Sequence, residues 1–162
     1  MYRACVETLR HDSIRILQRP GYDRWVNQTD EQLIEIYRST RTIAVVGASA
    51  NPAKPAHTIP AYLQSQGYRI IPVSPGGGEI FGERVVESLA DITVPVDVVD
   101  VFRPPREVPE IARQAVKAGA KLLWLQAGIV SEEAAQIARA GGLDVVMDTC
   151  MGATHRRLVS RI

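Results

Sequence analysis

The feature that most constrains the fold is a short apolar run that recurs along the chain, with helix-like segments between its copies. Five such runs lie at residues 42–46, 69–73, 96–101, 121–125 and 143–147. Runs of this kind, rich in Val, Ile and Leu, are typical of strands buried on both faces of a parallel sheet. Repeated strand–helix units are joined by right-handed crossovers. The sequence therefore predicts a three-layer α/β domain, a Rossmann-like doubly wound parallel sheet.

The helices between the strands are predicted from their capping residues. Glycine just after a helical pattern marks its end, and Ser before one marks its start. Four segments are predicted in this way: a helix over 57–66 with Pro60 in its first turn, a helix over 107–118, a helix that begins after Ser131 and ends at Gly141, and a terminal turn or helix over 155–162. The stretch 74–78 is predicted to be a loop because it combines Pro with three glycines.

Residues 1–40 differ in pattern from the rest and are predicted to be an N-terminal helical extension of a domain spanning 41–162. Pro20-Gly21 is a predicted break. After it, Thr29 can cap a helix over 30–38 whose apolar residues, Leu33, Ile34 and Tyr37, share one face. That face indicates packing on the domain. The alternative is an arm that binds a protein partner or mediates self-association.

Composition excludes several classes of protein. The 162 residues suffice for one domain, and 19 basic against 18 acidic side chains give a net charge of +1, unlike a dedicated nucleic-acid-binding domain. Cys5 and Cys150 are far apart and the three histidines are scattered, so neither zinc-site spacing nor a disulfide scaffold is indicated. No apolar run reaches the roughly 18 residues of a membrane span, and charges interrupt the N-terminus. We expect a soluble, cytoplasmic protein without a metal site.

A ligand of such a fold is expected at the loops that follow the strands. Open α/β sheets bind ligands outside the carboxyl ends of their strands, near the point where strand order reverses. Here those loops are 47–55, 74–78, 102–106, 126–130 and 148–155. All of them contain Gly, Pro or small polar residues, which permit close approach of a ligand.

The loop after the first strand favours a phosphate group. Gly47 permits a tight turn, and the amino terminus of the following helix attracts anions. Lys54, in the same loop, is then a candidate phosphate partner, although the alternative of a solvent-exposed lysine stays open. The loop lacks the GxGxxG dinucleotide fingerprint, because Ala48, Ser49 and Pro52 interrupt it. Ser74 also stands where NAD-binding proteins place an acidic residue, so NAD is disfavoured.

Several segments, taken together and in order, point to a family. They are residues 46–52, 67–68, 72–75, 96–104, 119–129 and 145–148, followed by Cys150, His155 and Leu158. With these segments the chain resembles, over about residues 30–160, the small stand-alone CoA-binding proteins. Those proteins are similar to the N-terminal CoA-binding domain of the succinyl-CoA synthetase alpha subunit.

The resemblance implies a binding site for coenzyme A or an acyl-CoA, with the following division of contacts. Gly47, Ala48, Ser49 and Asn51 would line a turn near the phosphates, with Lys54 meeting one phosphate. Val73 and Pro75 would flank the adenine. Phe102, Arg103 and Pro104 would shape the middle of the groove, with Arg103 a second candidate for a phosphate contact. Gln126, Ala127, Gly128 and Ile129 would border the pantetheine arm. The sequence departs from many relatives at Lys54 (often Arg), Ser74 (often Asn) and Thr149 (often Arg).

The resemblance implies a binding protein without catalytic machinery of its own. Cys150 and His155 are the only candidate nucleophile and base, and the simpler interpretation is a buried cysteine and an exposed histidine. A competing hypothesis places Cys150 near the CoA thiol, where it would form a mixed disulfide. Intact mass after incubation with CoA disulfide tests it, since the absence of an adduct at Cys150 would end the idea. Other functions kept open are an NAD(P)-binding oxidoreductase, a redox-sensing module and a purely structural or regulatory module.

Overall fold

In the computed structural model of the chain, the described residues are 28–162. Their central element is a five-stranded parallel sheet with the strand order β2–β1–β5–β6–β7. Its strands are β1 (Thr42–Val46), β2 (Arg69–Val73), β5 (Val98–Val101), β6 (Leu122–Leu125) and β7 (Asp144–Val146). A separate hairpin consists of β3 (Glu79–Ile80) and β4 (Glu83–Arg84). The helices are α1 (Asp30–Ser39), α2 (Pro55–Ser65), α3 (Val108–Lys117), α4 (Glu132–Ala140) and α5 (Met151–Leu158).

The sheet has one point at which the order of its strands reverses. From β1 the chain moves outward to β2 and then returns across β1 to continue with β5, β6 and β7. Both neighbours of β1 are parallel to it; Ile43 is aligned with Ile70 of β2 and with Val98 of β5. The switch point therefore lies between the carboxyl ends of β1 and β5, which is where a ligand is expected.

The helices form a layer on each face of the sheet. One apolar core joins α3 and α4 to alternate strand residues such as Val99 and Leu123. The other joins α1, α2 and α5 to the opposite strand residues, among them Val98 and Trp124. All residues of β5 and β6 are buried, as expected for central strands covered on both faces. The predicted doubly wound, three-layer architecture is confirmed.

Helix α1 begins as its capping pattern predicts. The Gln32 N–H donates to Thr29 Oγ1 at 3.3 Å and the Thr29 N–H donates to Gln32 Oε1 at 2.9 Å, which completes a capping box. Its apolar face is buried, and Tyr37 Oη donates to the Met151 carbonyl at 2.8 Å. Helix α1 thus packs on the domain, as predicted. The predicted break at Pro20-Gly21 and the helical pattern before it lie outside the described residues.

Helix α2 begins earlier than predicted, and this changes the position of Pro60. Pro55 occupies the first turn, so the helix starts at Pro55 instead of His57 and Pro60 lies in its interior. A proline there cannot donate to the carbonyl four residues back, which belongs to Ala56. The Ser49 N–H donates to that carbonyl at 3.2 Å instead. Pro60 therefore leaves the Ala56 carbonyl available to Ser49, and this hydrogen bond connects the loop after β1 to the helix.

Other elements differ from the prediction at their ends. Strand β5 begins at Val98, two residues later than predicted, and the carboxylate of Asp97 just before it accepts from the Arg41 and Thr42 N–H groups at 2.9 and 3.0 Å. Helix α5 begins at Met151, before the predicted terminal segment. The β3–β4 hairpin was not predicted, because strands of two residues carry no periodic signal. Among residues 28–162, no helix has the length and apolar character needed to cross a membrane.

Candidate functional site

A cavity of about 340 Å³ opens beside the switch point of the sheet. The amino-terminal turn of α2, the carboxyl ends of β5 and β6 and the start of α5 form its walls. Its lining residues are Lys54, Pro55, Ala56, Ile59, Phe102, Gln126, Ala127, Ile129 and Cys150. An apolar wall with a few polar groups is typical of small-molecule sites. The volume is near the lower end of their range of roughly 300–1,000 Å³, so a large ligand would also extend onto the rim.

The rim beside β1 is a loop braced by its own hydrogen bonds. Asn51 Oδ1 accepts from the Ala53 N–H at 2.9 Å and Ser49 Oγ accepts from the Asn51 N–H at 3.1 Å. The Ser49 carbonyl also contacts His57 Nδ1 at 2.7 Å. Ala48 is buried in the core beneath. These bonds hold the loop in one shape and bring Lys54, the residue that precedes α2, to the cavity wall.

Gly47 is the point of closest approach in this loop. Its φ of +89° lies in the left-handed region, which glycine adopts without steric cost. A Cβ at this position would lie 2.8 Å from Arg103 Cδ and 3.1 Å from the Phe102 carbonyl oxygen. The structure therefore requires glycine here for two reasons, the backbone conformation and the contact with the loop after β5.

Arg103, a predicted phosphate contact, is occupied by an ion pair. Its Nε and Nη2 donate to the two carboxylate oxygens of Glu107 at 2.8 and 3.1 Å. The hydrogen bond to Glu107 raises the pKa of the Arg103 guanidinium above its ordinary value. Both side chains are partly exposed, so the pair contributes little to stability. A ligand phosphate would have to compete with Glu107 for this cation.

The wall after β6 is held from below by hydrogen bonds. The Gln126 Nε2 donates to Asp100 Oδ1 at 2.8 Å, and the Gln126 Oε1 accepts from the Met151 N–H at 3.3 Å. Gly128 has a φ of +83° and its N–H donates to Asp148 Oδ1 at 2.6 Å. Gln126 is thus a buried residue that faces the cavity and is also fixed to two neighbouring elements.

Asp100 is a carboxyl buried in the middle of β5, behind Gln126. It is fully inaccessible to solvent, and its Oδ2 has no hydrogen-bond partner among the described residues. Burial raises the pKa of the Asp100 carboxyl to about 7. Hydrogen bonds such as the one from Gln126 lower this pKa, but burial has the larger effect. A buried carboxyl with one unsatisfied oxygen is costly, and its neighbour Gln126 lines the cavity.

His155 occupies an environment opposite to the simpler interpretation, and Cys150 is less buried than that interpretation expects. Cys150 is half-buried at the cavity wall and caps α5, accepting from the Ala153 N–H at 3.5 Å. The His155 ring is buried, with Nδ1 at 2.9 Å from Tyr62 Oη and its centroid 5.0 Å from that of Tyr37. Burial lowers the pKa of His155. The expectation of an exposed histidine is wrong because α5 starts at Met151, so that His155 lies one turn inside it, on the buried face.

The structure brings some of the predicted contact residues together and leaves others apart. Lys54, Phe102, Gln126, Ala127 and Ile129 lie in the cavity wall. The remaining ones do not line the cavity: Gly47, Ala48, Ser49 and Asn51 lie in the rim loop, Arg103 and Pro104 in the loop after β5, Gly128 in the loop after β6, and Val73 and Pro75 at the end of β2. The Val73 side chain is buried in the core, and its carbonyl accepts from the Gly47 N–H at 2.9 Å.

The predicted site omitted four residues of the cavity wall. Pro55 and Ala56 were missed because the helix was placed two residues late, although Pro at a first helical position is a start signal. Ile59 lies within the predicted helix, from which no contact residue was predicted. Cys150 was considered for its chemistry and left out of the predicted contacts. Within residues 28–162, no group of three His, Cys, Asp or Glu side chains is arranged to hold a metal ion.

The chain matches a family model described as "CoA binding domain" over residues 41–156. This segment contains every wall of the cavity. A Bacillus subtilis (strain 168) protein called "Uncharacterized protein YneT" is 37% identical over 129 residues, which are 80% of this chain and 96% of that protein.

A solved structure and a ligase subunit are also similar to this chain. A Thermus thermophilus structure, "The structure of cell-free ID.343", has a TM-score of 0.78 and 41% identity, covering 81% of this chain and 99% of that one. "Acetate--CoA ligase [ADP-forming] I subunit alpha" of Pyrococcus furiosus is 31% identical over 96 residues, which are 56% of this chain and 21% of that subunit. The similarity to the ligase subunit therefore concerns a small part of it.

Proposed function

The chain belongs to the CoA binding domain family, and on that premise we propose that it binds coenzyme A or an acyl-CoA at the carboxyl ends of β5 and β6. The observation that carries the proposal is the cavity at the switch point, with Lys54 on its wall, inside the segment that matches the family. A doubly wound sheet binds its ligand at this edge.

The chemistry of the cavity suits a molecule with a phosphate end and a largely apolar arm. Lys54 and the positive amino-terminal end of α2 favour a diphosphate at the rim. Ile59, Phe102 and Ile129 offer apolar contacts to the pantetheine carbons. Gln126 is the buried polar group of the wall, next to which the amides of the arm would lie. Because the cavity is small, we assign the adenine to the rim outside it.

We further propose that the chain binds without catalysing a reaction of its own. Cys150 lies in the cavity wall, whereas His155 is not among the lining side chains and is paired with Tyr62. A nucleophile needs a base within hydrogen-bond reach, and the ring of the candidate base His155 is engaged with Tyr62 Oη at 2.9 Å. The mixed disulfide between Cys150 and CoA stays a prediction.

A thermal-shift comparison of CoA, acetyl-CoA, NADH and ATP tests the proposed function. A ligand that binds only the native state raises the melting temperature in proportion to the logarithm of its concentration over Kd. We expect CoA or acetyl-CoA to raise it and NADH and ATP to have no effect. A rise with NADH alone would support a nicotinamide-binding oxidoreductase or redox module instead. No rise with any ligand would support a structural module.

Lys54→Glu is expected to weaken CoA binding sharply. The substitution replaces attraction by repulsion next to the phosphates, which should lower affinity roughly ten-fold or more. Lys117→Glu is the matched control, because Lys117 is an exposed lysine in the last turn of α3. That turn lies at the amino ends of the strands, whereas the cavity lies at their carboxyl ends. Calorimetric titration with CoA measures both variants, and equal affinities would show that Lys54 is only a surface residue.

A further inference from the structure

Asp100 is a buried acidic group whose presence the proposed binding function does not explain. The carboxyl lies in the central strand β5 with no solvent access. Burying a charge without a cation is unfavourable, and replacing buried ionic groups by apolar ones often stabilises a protein. Asp100 forms no ion pair with any residue of 28–162. Stability of the core alone therefore gives no reason for an aspartate at this position.

The hydrogen bonds of Asp100 show what the carboxyl does for its neighbour. An amide side chain has a donor end and an acceptor end, and either can be exchanged for the other by a flip. Here the Met151 N–H can only donate, so it needs the Gln126 oxygen. Asp100 Oδ1 accepts from Gln126 Nε2, so it needs the amide nitrogen. The two partners together permit only one orientation of the Gln126 amide.

That orientation links three elements at the cavity. Asp100 belongs to β5, Gln126 follows β6 and Met151 begins α5. Met151 directly follows Cys150, so the same bonds place the thiol at the wall. The preceding residue, Thr149, is held separately, because its carbonyl accepts from Trp124 Nε1 at 2.7 Å. The Gln126 side chain thus faces the cavity and also fixes Met151, the first residue of α5.

We propose that Asp100 is a positioning residue of the ligand cavity, which acts by fixing the Gln126 amide and, through it, the start of α5. Asp100 does not line the cavity and touches no ligand itself. The identity of the ligand rests on the proposed function. The effect of Asp100 on the position of the cavity wall does not depend on that function.

Two variants of Asp100 separate positioning from simple burial. Asp100→Asn keeps an acceptor oxygen for Gln126, and Asp100→Leu removes it while keeping the number and branching of the heavy side-chain atoms. Loss of a buried hydrogen bond that orders a binding group lowers affinity roughly ten-fold. We expect this loss of CoA affinity in Asp100→Leu, and affinity within about three-fold of the native value in Asp100→Asn. Equal CoA affinities of Asp100→Leu and the native protein would overturn the proposal.

A double-variant cycle tests whether Asp100 acts through Gln126. Gln126→Met removes both hydrogen bonds while keeping the shape of the side chain. If the two residues form one unit, Asp100→Leu combined with Gln126→Met binds CoA no more weakly than Gln126→Met alone. Losses that simply add would contradict a role through Gln126.

The reactivity of Cys150 provides a readout that needs no CoA. In a Cys5→Ser background, the rate of reaction of Cys150 with a small aromatic disulfide reagent reports the position of the thiol at the wall. We expect this rate to change several-fold in Asp100→Leu and to be restored in Asp100→Asn. If the native protein fails to bind CoA, the proposed function fails, and this rate still decides the role of Asp100. An unchanged rate in Asp100→Leu would then overturn the proposed positioning role of Asp100.

Discussion

Gly47→Ala is expected to destabilise the protein by roughly 2–4 kcal/mol, the sum of a left-handed backbone strain and an overpacked contact. The strain arises because Gly47 has a φ of +89°. The contact arises because a Cβ would lie 2.8 Å from Arg103 Cδ and 3.1 Å from the Phe102 carbonyl oxygen. The Phe102 carbonyl belongs to the backbone, so it cannot yield unless the loop after β5 moves. The loops after β1 and β5 would have to separate, so we also expect weaker CoA binding.

Gly67→Ala is the matched control for this prediction. Gly67 has a similar φ of +99°, but a Cβ there would meet no atom within 4 Å. It should therefore show the backbone strain alone, roughly 1–2 kcal/mol, with unchanged affinity for CoA. Unfolding in urea at fixed temperature gives both free energies. Equal losses in the two variants would contradict a close approach of the two loops at Gly47.

Asp100→Asn is expected to make the protein more stable relative to the native chain as the pH rises. Burial raises the pKa of Asp100 from 3.8 to about 7 in the folded state. A raised pKa gives stability that is present below the unfolded pKa and is lost as the pH rises through the folded one. Between pH 5 and pH 8, this loss in the native chain is on the order of 2 kcal/mol, at about 1.4 kcal/mol per pKa unit. Asparagine does not titrate and removes the loss.

The difference between the two proteins isolates Asp100 from other titrating groups. The pKa of His155 is lowered by burial, so that histidine costs stability as the pH falls, but it is present in both proteins and cancels. The Tyr37 hydroxyl interacts with Asp100 electrostatically, and burial raises its pKa far above this window. Urea unfolding of both proteins at pH 5, 6, 7 and 8 measures the effect. A difference in unfolding free energy that is constant with pH would show that Asp100 does not titrate in this range.

The architecture could be predicted because its signals are local and repeated. Runs such as 43–46 and 122–125 are apolar throughout, which distinguishes central parallel strands from the alternating strands of antiparallel sheets. Thr29 and Ser131 mark helix starts by side-chain capping, and both caps are present in the structure. The start of β5 was less predictable, because the Asp97 carboxylate just before it bonds to the start of β1 and that partner is 55 residues away.

The candidate site was predictable only where it follows from the topology. The loops after β5 and β6 and the lysine before α2 were expected at one edge of the sheet, and Lys54, Phe102 and Gln126 lie in the cavity wall. The environments of His155 and Asp100 could not be predicted from the topology. His155 is buried because three tyrosines from different elements surround it. Asp100 is one polar residue in an apolar strand, and its role depends on Gln126 from the next strand.

The proposed function places coenzyme A in the cavity beside β5 and β6, with the phosphates at Lys54 and the pantetheine arm along Gln126. A crystal structure of the protein grown with CoA tests it most directly. We predict the diphosphate at the amino-terminal end of α2 and the arm between Phe102, Gln126 and Ile129. CoA bound elsewhere on the protein, or a cavity that stays empty at a saturating concentration of CoA, would contradict the claim.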